Sequence, residues 1–252
     1  MPRLHKKRFI LYSKKPIFQK RLSDARQRLR DFLDVVKNPY IAFSGGKDSH
    51  VCLSLAREIA EATDIPAVYF DADCAYPEVS ELLTETPNCI EFPASEPFLK
   101  TLAKHGLSHP KIEEITMKTT VYEPIAALLE KYRFDGGIYG LRAEESQARR
   151  WHARRNGAIF QYSDQSIHKG IRQCQPIHDW SYEDVWAYIV SEKINYCKTY
   201  DKKWDMPEAE QRISYWAGES NRNFGRYAHL KQEYPELFNQ LIKACPEARQ
   251  FL

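Results

Sequence analysis

The stretch Tyr40-Ile-Ala-Phe-Ser-Gly-Gly-Lys-Asp-Ser49 decides the fold of this 252-residue chain. Its first four residues are apolar and predict a short buried strand, and the next six predict a tight turn. Apolar residues then recur at helical spacing at Val51, Leu55, Ile59 and Ala62. Gly45 and Gly46 lack a Cβ atom, so an anion can reach the amides of the turn at the start of this helix, where the dipole favours negative charge.

The loop differs from a Walker A loop in two ways. No glycine precedes Gly46 by five residues, and Asp48 follows Lys47 where a Walker A loop has Ser or Thr. The sequence resembles instead the PP-loop of the adenine nucleotide α-hydrolase superfamily. That loop binds the terminal phosphates of ATP, which leave as pyrophosphate. The alternative interpretation is an ordinary polar turn before a helix.

The composition is that of a globular protein, with 43% hydrophobic and 28% charged residues. The net charge of +3 hides an uneven distribution, because residues 1–30 carry +10 and the remaining residues carry −7. The apolar run at residues 9–12 is too short for a signal peptide, and no run approaches membrane-spanning length. We therefore expect a cytoplasmic protein without membrane contact.

The N-terminal segment predicts an amphipathic helix. Apolar residues spaced alternately by four and three stand at Phe18, Leu22, Ala25, Leu29, Phe32 and Val36. The other face is basic, with Lys20, Arg21, Arg26, Arg28 and Arg30. This face is either a solvated surface or a docking site for nucleic acid or an acidic protein partner.

Further strands are predicted at residues 67–70, 88–92 and 137–140, with helical patterns between them. This alternation predicts an α/β fold with a mostly parallel sheet and helices on both faces. We expect a basic N-terminal segment at 1–37, a nucleotide-binding domain at 38–200, and a C-terminal lid and helical extension at 201–252.

Polar residues follow the predicted strands, at the sheet edge where parallel α/β folds bind ligands. Asp71 and Asp73 follow the second strand and can meet a ribose hydroxyl, a base amino group or magnesium, although Asp73 can equally cap a helix. Arg142 follows the fourth strand, and its guanidinium fork suits phosphate or sulfate. Glu145 and Arg149 stand four residues apart on the next helix and can simply pair with each other.

These motifs together resemble the phosphoadenosine phosphosulfate (PAPS) reductase family over roughly residues 38 to 200. The resemblance also includes Pro176-Ile-His-Asp-Trp180 and Asp184-Val-Trp186. It implies a Rossmann-like sheet of five strands, with the PP-loop and the arginine-containing segment of residues 140–150 around the phosphate and sulfate groups of an adenine nucleotide, ATP or PAPS.

The resemblance also implies roles for individual residues. Catalytic roles fall on Lys47, Asp48 and Arg142. Asp48 and Asp73 would bind magnesium. The expected nucleotide-binding residues are Ser44, Gly45, Gly46, Lys47, Asp48, Ser49, Asp71, Gly140, Arg142, Glu145 and Arg149.

The C-terminal region departs from the reductases of this family, which attack the sulfate sulfur with a cysteine in a Glu-Cys-Gly-(Ile/Leu)-His segment. Here neither glycine nor histidine follows Cys245, which lies near the end of a helix opened by Pro235, where the dipole disfavours a thiolate. The six cysteines include no Cys-x-x-Cys pair and match no zinc or iron–sulfur spacing, so we expect reduced thiols and no iron–sulfur cluster.

The leading hypothesis is a magnesium-dependent ATP pyrophosphatase-type enzyme linked to adenylation or sulfur transfer. Residues 225–238 resemble PAPS reductase-like members that include phage and defence-associated proteins, which extends the hypothesis to nucleic-acid modification. One alternative is a thiol-dependent PAPS or APS reductase. Another is a non-catalytic nucleotide-binding module that docks a nucleic-acid complex through its basic N-terminal helix. The sequence leaves the oligomeric state open.

Overall fold

The computed structural model describes residues 3–60, 65–162, 170–202, 211–216 and 226–252. The helices are α1 (Arg3–Ser13), α2 (Pro16–Leu33), α3 (Lys47–Ala60), α4 (Pro77–Glu85), α5 (Phe98–His105), α6 (Ile112–Met117), α7 (Glu123–Tyr132), α8 (Gln147–Asn156), α9 (Tyr182–Ser191), α10 (Arg226–Glu233) and α11 (Pro235–Ala244). The strands are β1 (Pro39–Ala42), β2 (Ala67–Asp71), β3 (Cys89–Pro93), β4 (Gly136–Tyr139), β5 (Ile159–Gln161) and β6 (Arg172–Cys174). Within these ranges no helix is both long enough and apolar enough to cross a bilayer.

The six strands form one sheet in the order β3-β2-β1-β4-β6-β5. β1 is parallel to β2 and β4, β4 is parallel to β6, and β5 is antiparallel to β6. The prediction of a mostly parallel, Rossmann-like α/β fold is confirmed. The sheet contains one strand more than expected, because the short antiparallel strand β5 adds to the edge beside β6.

The strand order positions the candidate site. β1 lies inside the sheet, and its residues Tyr40 and Ile41 are fully buried. The chain continues from β1 to β2 on one side and returns to β4 on the other, with Ile41 in register with Ile138 of β4. The loops after β1 and β4 therefore diverge, and parallel α/β sheets bind ligands in the crevice that such a divergence opens.

The chain divides into two compact units. Unit 1 contains Met1–Tyr69, Leu82–Ile90 and Leu128–Cys197, and unit 2 contains Phe70–Glu81, Glu91–Ala127 and Lys198–Leu252. In unit 2, helices α10 and α11 pack together around buried residues that include Tyr227, Leu230 and Leu241. Residues 203–210 and 217–225 of the expected C-terminal lid lie outside the described residues.

Helix α2 confirms the predicted amphipathic helix. All six residues of the predicted apolar stripe are buried. Val36 lies three residues beyond the end of the helix, and the five that lie in α2 are Phe18, Leu22, Ala25, Leu29 and Phe32. Helix α1 was not predicted. It packs on α9, with Phe9 1% exposed and its ring 6.3 Å from Tyr182 and 6.4 Å from Trp186.

The basic face of α2 is mostly engaged by carboxylates of unit 1. Arg28 donates two hydrogen bonds to Asp179, at 2.7 and 2.9 Å. Arg21 pairs with the fully buried Asp184. In addition, Arg26 pairs with Glu58 at 2.9 Å and Lys20 with Asp24 at 2.6 Å. Arg21, Arg26 and Arg28 therefore attach α2 to its own unit, whereas Lys20 and Arg30 are exposed. Whether this face also docks a partner stays a prediction.

Candidate functional site

The loop of residues 44–49 joins β1 to α3 and closes on itself. Gly45 has a φ of 71°, a left-handed conformation that favours glycine. The Ser49 hydroxyl donates to the Gly46 carbonyl at 2.8 Å and accepts from the Ser44 amide at 3.2 Å. These bonds hold the turn at the N-terminus of α3, where unsatisfied amides and the helix dipole favour an anion.

Three charged side chains meet beside this loop. Lys47 and Arg142 are only 3% and 2% exposed, respectively. The Arg142 Nε donates to Asp48 Oδ1 at 2.6 Å, and the Lys47 ammonium lies 3.3 Å from Asp48 Oδ2. Asp48 therefore lies between two buried cations, and the three predicted catalytic residues form one cluster.

Gly140 lies directly against the loop. A Cβ atom at this position would stand 2.7 Å from the Asp48 carbonyl oxygen and 2.8 Å from the Ser49 amide nitrogen, closer than real Cβ atoms approach. The end of β4 can therefore contact the loop backbone only because residue 140 is glycine. This close approach also places Arg142, two residues later, beside Asp48.

The segment after Arg142 is held by two glutamates. Glu144 accepts from Arg142 Nη1 and from the Tyr182 amide, both at 2.7 Å. Glu145 accepts from the Arg142 amide at 3.1 Å and pairs with the Arg149 side chain. The pairing of Glu145 with Arg149, which was one of the two interpretations, is thus present. Whether Arg142 and Arg149 also contact a nucleotide stays a prediction.

The electrostatics of the cluster shift the pKa of Asp48 down and the pKa of Arg142 up. Burial alone would raise the pKa of Asp48, but the charges of Lys47 and Arg142 outweigh it and hold that pKa below its usual value. Burial would likewise lower the pKa of Arg142, but the carboxylates of Asp48, Glu145 and Glu144 raise it. The cluster is therefore a set of ion pairs.

His50, one residue beyond the loop, behaves differently. It is 6% exposed, and its ring meets the edge of Phe43 at 4.8 Å between centroids. Burial lowers the pKa of His50 to about 4, against the opposing effect of a hydrogen bond with the Gly45 backbone. His50 is therefore a neutral side chain beneath the loop at pH 7 and adds no charge to it.

The predicted aspartates after β2 belong to unit 2. Asp71 accepts from the Asp73 amide at 2.9 Å, and Asp73 has a φ of 63°. Among the described residues, no group of three His, Cys, Asp or Glu could hold a metal ion. Both oxygens of Asp48 already face cations, which a magnesium ion bound directly to Asp48 would have to displace or join. The assignment of magnesium to Asp48 and Asp73 stays a prediction.

The cysteines are all free, and all except Cys89 are buried. Burial raises the pKa of the Cys245 thiol, and the nearby carboxylate of Glu247, whose Oε1 lies 3.6 Å from Sγ, raises it further. Cys245 also follows the last residue of α11, at the negative end of the helix dipole. These surroundings disfavour the thiolate that a reductase needs.

Two residues of this site were missed by sequence reasoning. Glu144 links Arg142 to the start of α9. The only sequence signal for Glu144 was its position, next to Glu145, after the predicted strand at residues 137–140. His50 carries no motif, and its burial follows from the way α3 packs on β1.

The comparisons with known proteins agree with this architecture. The family model of the phosphoadenosine phosphosulfate reductase domain matches residues 38–206. An uncharacterised protein of Methanocaldococcus jannaschii is 25% identical over 224 residues, covering 85% of this chain and 50% of the relative. Sulfate adenylyltransferase subunit 2 of Proteus mirabilis is 26% identical over 204 residues, covering 69% of this chain and 64% of the relative. The chain thus spans about half to two thirds of these relatives.

Two solved structures share the fold. The PAPS reductase of Candida auris, in a phosphate complex, superposes with a TM-score of 0.58 at 17% identity and covers 86% of this chain and 97% of that chain. The FMN adenylyltransferase of Candida glabrata, in complex with FMN and an ATP analogue, has a TM-score of 0.56 at 13% identity and covers 77% of this chain and 64% of that chain. At these identities the likeness shows the fold alone.

Proposed function

Because this chain belongs to the phosphoadenosine phosphosulfate reductase domain family, we propose that it binds an adenine nucleotide and cleaves ATP between its α and β phosphates. The observation that supports this most is the loop of residues 44–49, which closes at the N-terminus of α3 where the sheet topology diverges. That position and the amides of the turn suit the terminal phosphates of a nucleotide.

The proposed reaction is transfer of AMP. A nucleophilic oxygen, from an acceptor or from water when no acceptor is present, attacks the α phosphorus, the bond from that phosphorus to the bridging oxygen breaks, and pyrophosphate leaves with the bridging oxygen. With water the other product is AMP, and with an acceptor it is the adenylated acceptor. The adenylyltransferase activity named for the Proteus mirabilis relative supports this chemistry. Sulfur transfer and nucleic-acid modification are further uses that the same activated intermediate would serve.

Lys47 is the residue that we assign to the leaving pyrophosphate. It is buried at the start of α3, beside the loop amides, so its charge acts in a site from which much water is excluded. Preformed donors at the place where charge develops lower the barrier without reorganisation during the reaction. Ser44, Gly45, Gly46 and Ser49 would supply the remaining contacts to the phosphates.

Arg142 has a more indirect role in this proposal. Its guanidinium donates to Asp48, to Glu144 and to the Trp180 carbonyl, at 2.6, 2.7 and 3.4 Å. It therefore positions Asp48, and through it Lys47. Asp71, Gly140, Glu145 and Arg149 remain proposed nucleotide-site residues. No step of this proposal depends on a magnesium ion bound by the chain itself.

Reduction of PAPS is the competing function. It would require a reactive thiol, and the raised pKa of Cys245 disfavours that role. A non-catalytic module is the other alternative, and the ion pairs of Arg21 and Arg28 occupy part of the basic helix on which such docking would depend.

One experiment separates these functions. The purified protein is incubated with labelled ATP or labelled PAPS, and the products are separated by chromatography, with Lys47→Ala as the site variant and exposed Lys100→Ala as the control. AMP and pyrophosphate, absent in Lys47→Ala and present in Lys100→Ala, support the proposal. Adenosine 3′,5′-bisphosphate with sulfite would support the reductase, and tight nucleotide binding without any product would support the non-catalytic module.

A further inference from the structure

Helix α8 carries a basic surface that the nucleotide site does not use. None of its residues is buried. At 100° per residue, Arg150, Trp151, Arg154 and Arg155 fall within one arc of about 140°. All four are exposed, whereas Arg149, on the opposite side of the helix, pairs with Glu145. The outward face of α8 is therefore a stripe of three guanidinium groups around one indole.

The arginines of this stripe differ from those of α2. Arg21, Arg26 and Arg28 each pair with a carboxylate of their own unit. Within the described ranges, Arg150, Arg154 and Arg155 form no ion pair. These charges therefore need no carboxylate to be displaced before they can meet an anion, and they make this the better-suited of the two basic surfaces for a polyanion.

Aromatic rings accompany the charges. Trp151 is 62% exposed, and the Arg154 guanidinium lies 5.9 Å from its ring centroid. Next to the helix, His152, Phe160 and Tyr162 form a chain of edge-to-face contacts, with centroid distances of 4.8 and 5.4 Å. Phe160 belongs to β5, which ends the strand order of the sheet. Trp151, His152, Arg155, Phe160, Gln161 and Tyr162 line an open cleft of about 580 Å³.

We propose that the surface formed by α8 and β5 binds single-stranded nucleic acid. Surfaces of this kind combine cations that follow the phosphate backbone with exposed aromatic rings on which bases stack. The cations are the guanidinium groups of Arg150, Arg154 and Arg155, and the exposed ring for stacking is the Trp151 indole. A folded duplex hides its base faces, so the exposed indole favours a single strand. An acidic polypeptide would satisfy the arginines but would leave the indole without a stacking partner.

The proposal is independent of the nucleotide chemistry proposed above, because it uses none of the residues around the loop of residues 44–49. It predicts that the Lys47→Ala variant binds single strands as the wild type does. Failure of ATP cleavage and failure of this binding are therefore separate results.

Binding is measured by fluorescence anisotropy with labelled single-stranded DNA and RNA of about 20 nucleotides, and with the matching duplex. The test variant is Arg150→Gln/Arg154→Gln/Arg155→Gln. The control variant, Lys14→Gln/Lys20→Gln/Arg30→Gln, removes the same charge from exposed positions of the N-terminal segment. Titrations at about 50 and about 200 mM salt give the log–log slope of affinity against salt.

We expect the test variant to bind at least about tenfold more weakly and with a slope less steep by about 2, since a single strand contributes about 0.7 per phosphate neutralised. The control variant should stay close to wild type. Trp151→Ala should weaken binding about tenfold, and Trp151→Phe should retain most of it because a ring remains for stacking. Tryptophan fluorescence should be quenched by the single strand in the wild type and less in Trp151→Phe, because Trp151 is exposed, whereas the other tryptophans that the structure describes, Trp180, Trp186 and Trp216, are buried.

A preference for the RNA or the DNA strand would identify the natural source of the ligand. Absence of binding at low salt would overturn the proposal, and so would equal losses in the test and control variants. Competition by polyglutamate as strong as that by the oligonucleotide, with no change in tryptophan fluorescence, would assign the surface to an acidic polypeptide and likewise overturn it.

Discussion

The ion pair between Asp48 and Arg142 should couple the PP-loop to the strand beside it, and a double-mutant cycle can measure this coupling. The cycle uses Asp48→Asn, Arg142→Met and the double variant. Arg142→Met removes a guanidinium that is 2% exposed and donates to Asp48 at 2.6 Å. It keeps a straight apolar side chain in the same space, so loss of packing contributes little.

The expected magnitude follows from burial and from the remaining partner. With charge centres about 4 Å apart and an effective dielectric constant of about 20, the attraction is about 4 kcal/mol, and desolvation of both groups opposes it. Breaking a buried pair usually costs about 3–5 kcal/mol, because one charge is left without its partner. Lys47, which lies 3.3 Å from Asp48, remains as a second partner in the variant, so we expect the lower end, about 3 kcal/mol.

The assay is urea denaturation followed by circular dichroism and tryptophan fluorescence. We expect the double variant to be less destabilised than the sum of the single variants by about 2 kcal/mol. Because the folded pKa of Asp48 is lowered, its contribution is present above the unfolded pKa of about 3.9 and is lost as the pH falls through the folded pKa. Additive single variants, each costing less than about 1 kcal/mol, would refute the reasoning.

Three further predictions concern single residues. Lys47→Ala should reduce ATP cleavage by about 10²-fold or more, because it removes a donor where charge develops; unchanged turnover in the folded variant, measured as AMP release, would place the chemistry elsewhere. Cys245→Ser should leave AMP release close to wild type, and loss of sulfite formation from PAPS in this variant would instead support a reductase. The buried His50 has a folded pKa of about 4, so between pH 6.5 and 4 only the unfolded chain gains its proton and stability falls as the pH falls, by about 3 kcal/mol in total. His50→Leu should flatten this part of the pH profile in thermal melts, and parallel profiles for the two proteins would contradict the assignment.

The sequence predicted those parts of the fold that have strong local periodicity. Helix α2 repeats its apolar residues over about four turns, from Phe18 to Phe32, and each of these positions is buried. Helix α1 was not predicted because more than half of its residues are polar and its apolar residues show no clear helical spacing. Packing of Phe9 against α9 stabilises it. Strands β5 and β6 have three residues each, too few for a periodic signal.

The candidate site also has one part that the sequence predicted and one part that it did not. The loop of residues 44–49 was predictable because strand, turn and helix are contiguous in sequence and two glycines mark the turn. The contact between Asp48 and Arg142 could not be predicted from the sequence. The two residues are 94 positions apart and meet only because β1 and β4 are neighbours in the sheet. The glycine at position 140, required by the close approach to the loop, is the local sign of that long-range contact.

The charges of the cluster have a consequence for ligand choice. Two buried cations beside one loop would repel each other, and a buried ion without a partner costs several kcal/mol, so Asp48 is needed to hold Lys47 and Arg142 together beside the loop. An anion that enters the loop must therefore compete with this carboxylate for Lys47. A ligand with a single negative charge gains little from that exchange, whereas a chain of phosphates offers several charges to the lysine and the loop amides at once. The carboxylate that stabilises the folded loop thereby favours polyphosphates over simple anions.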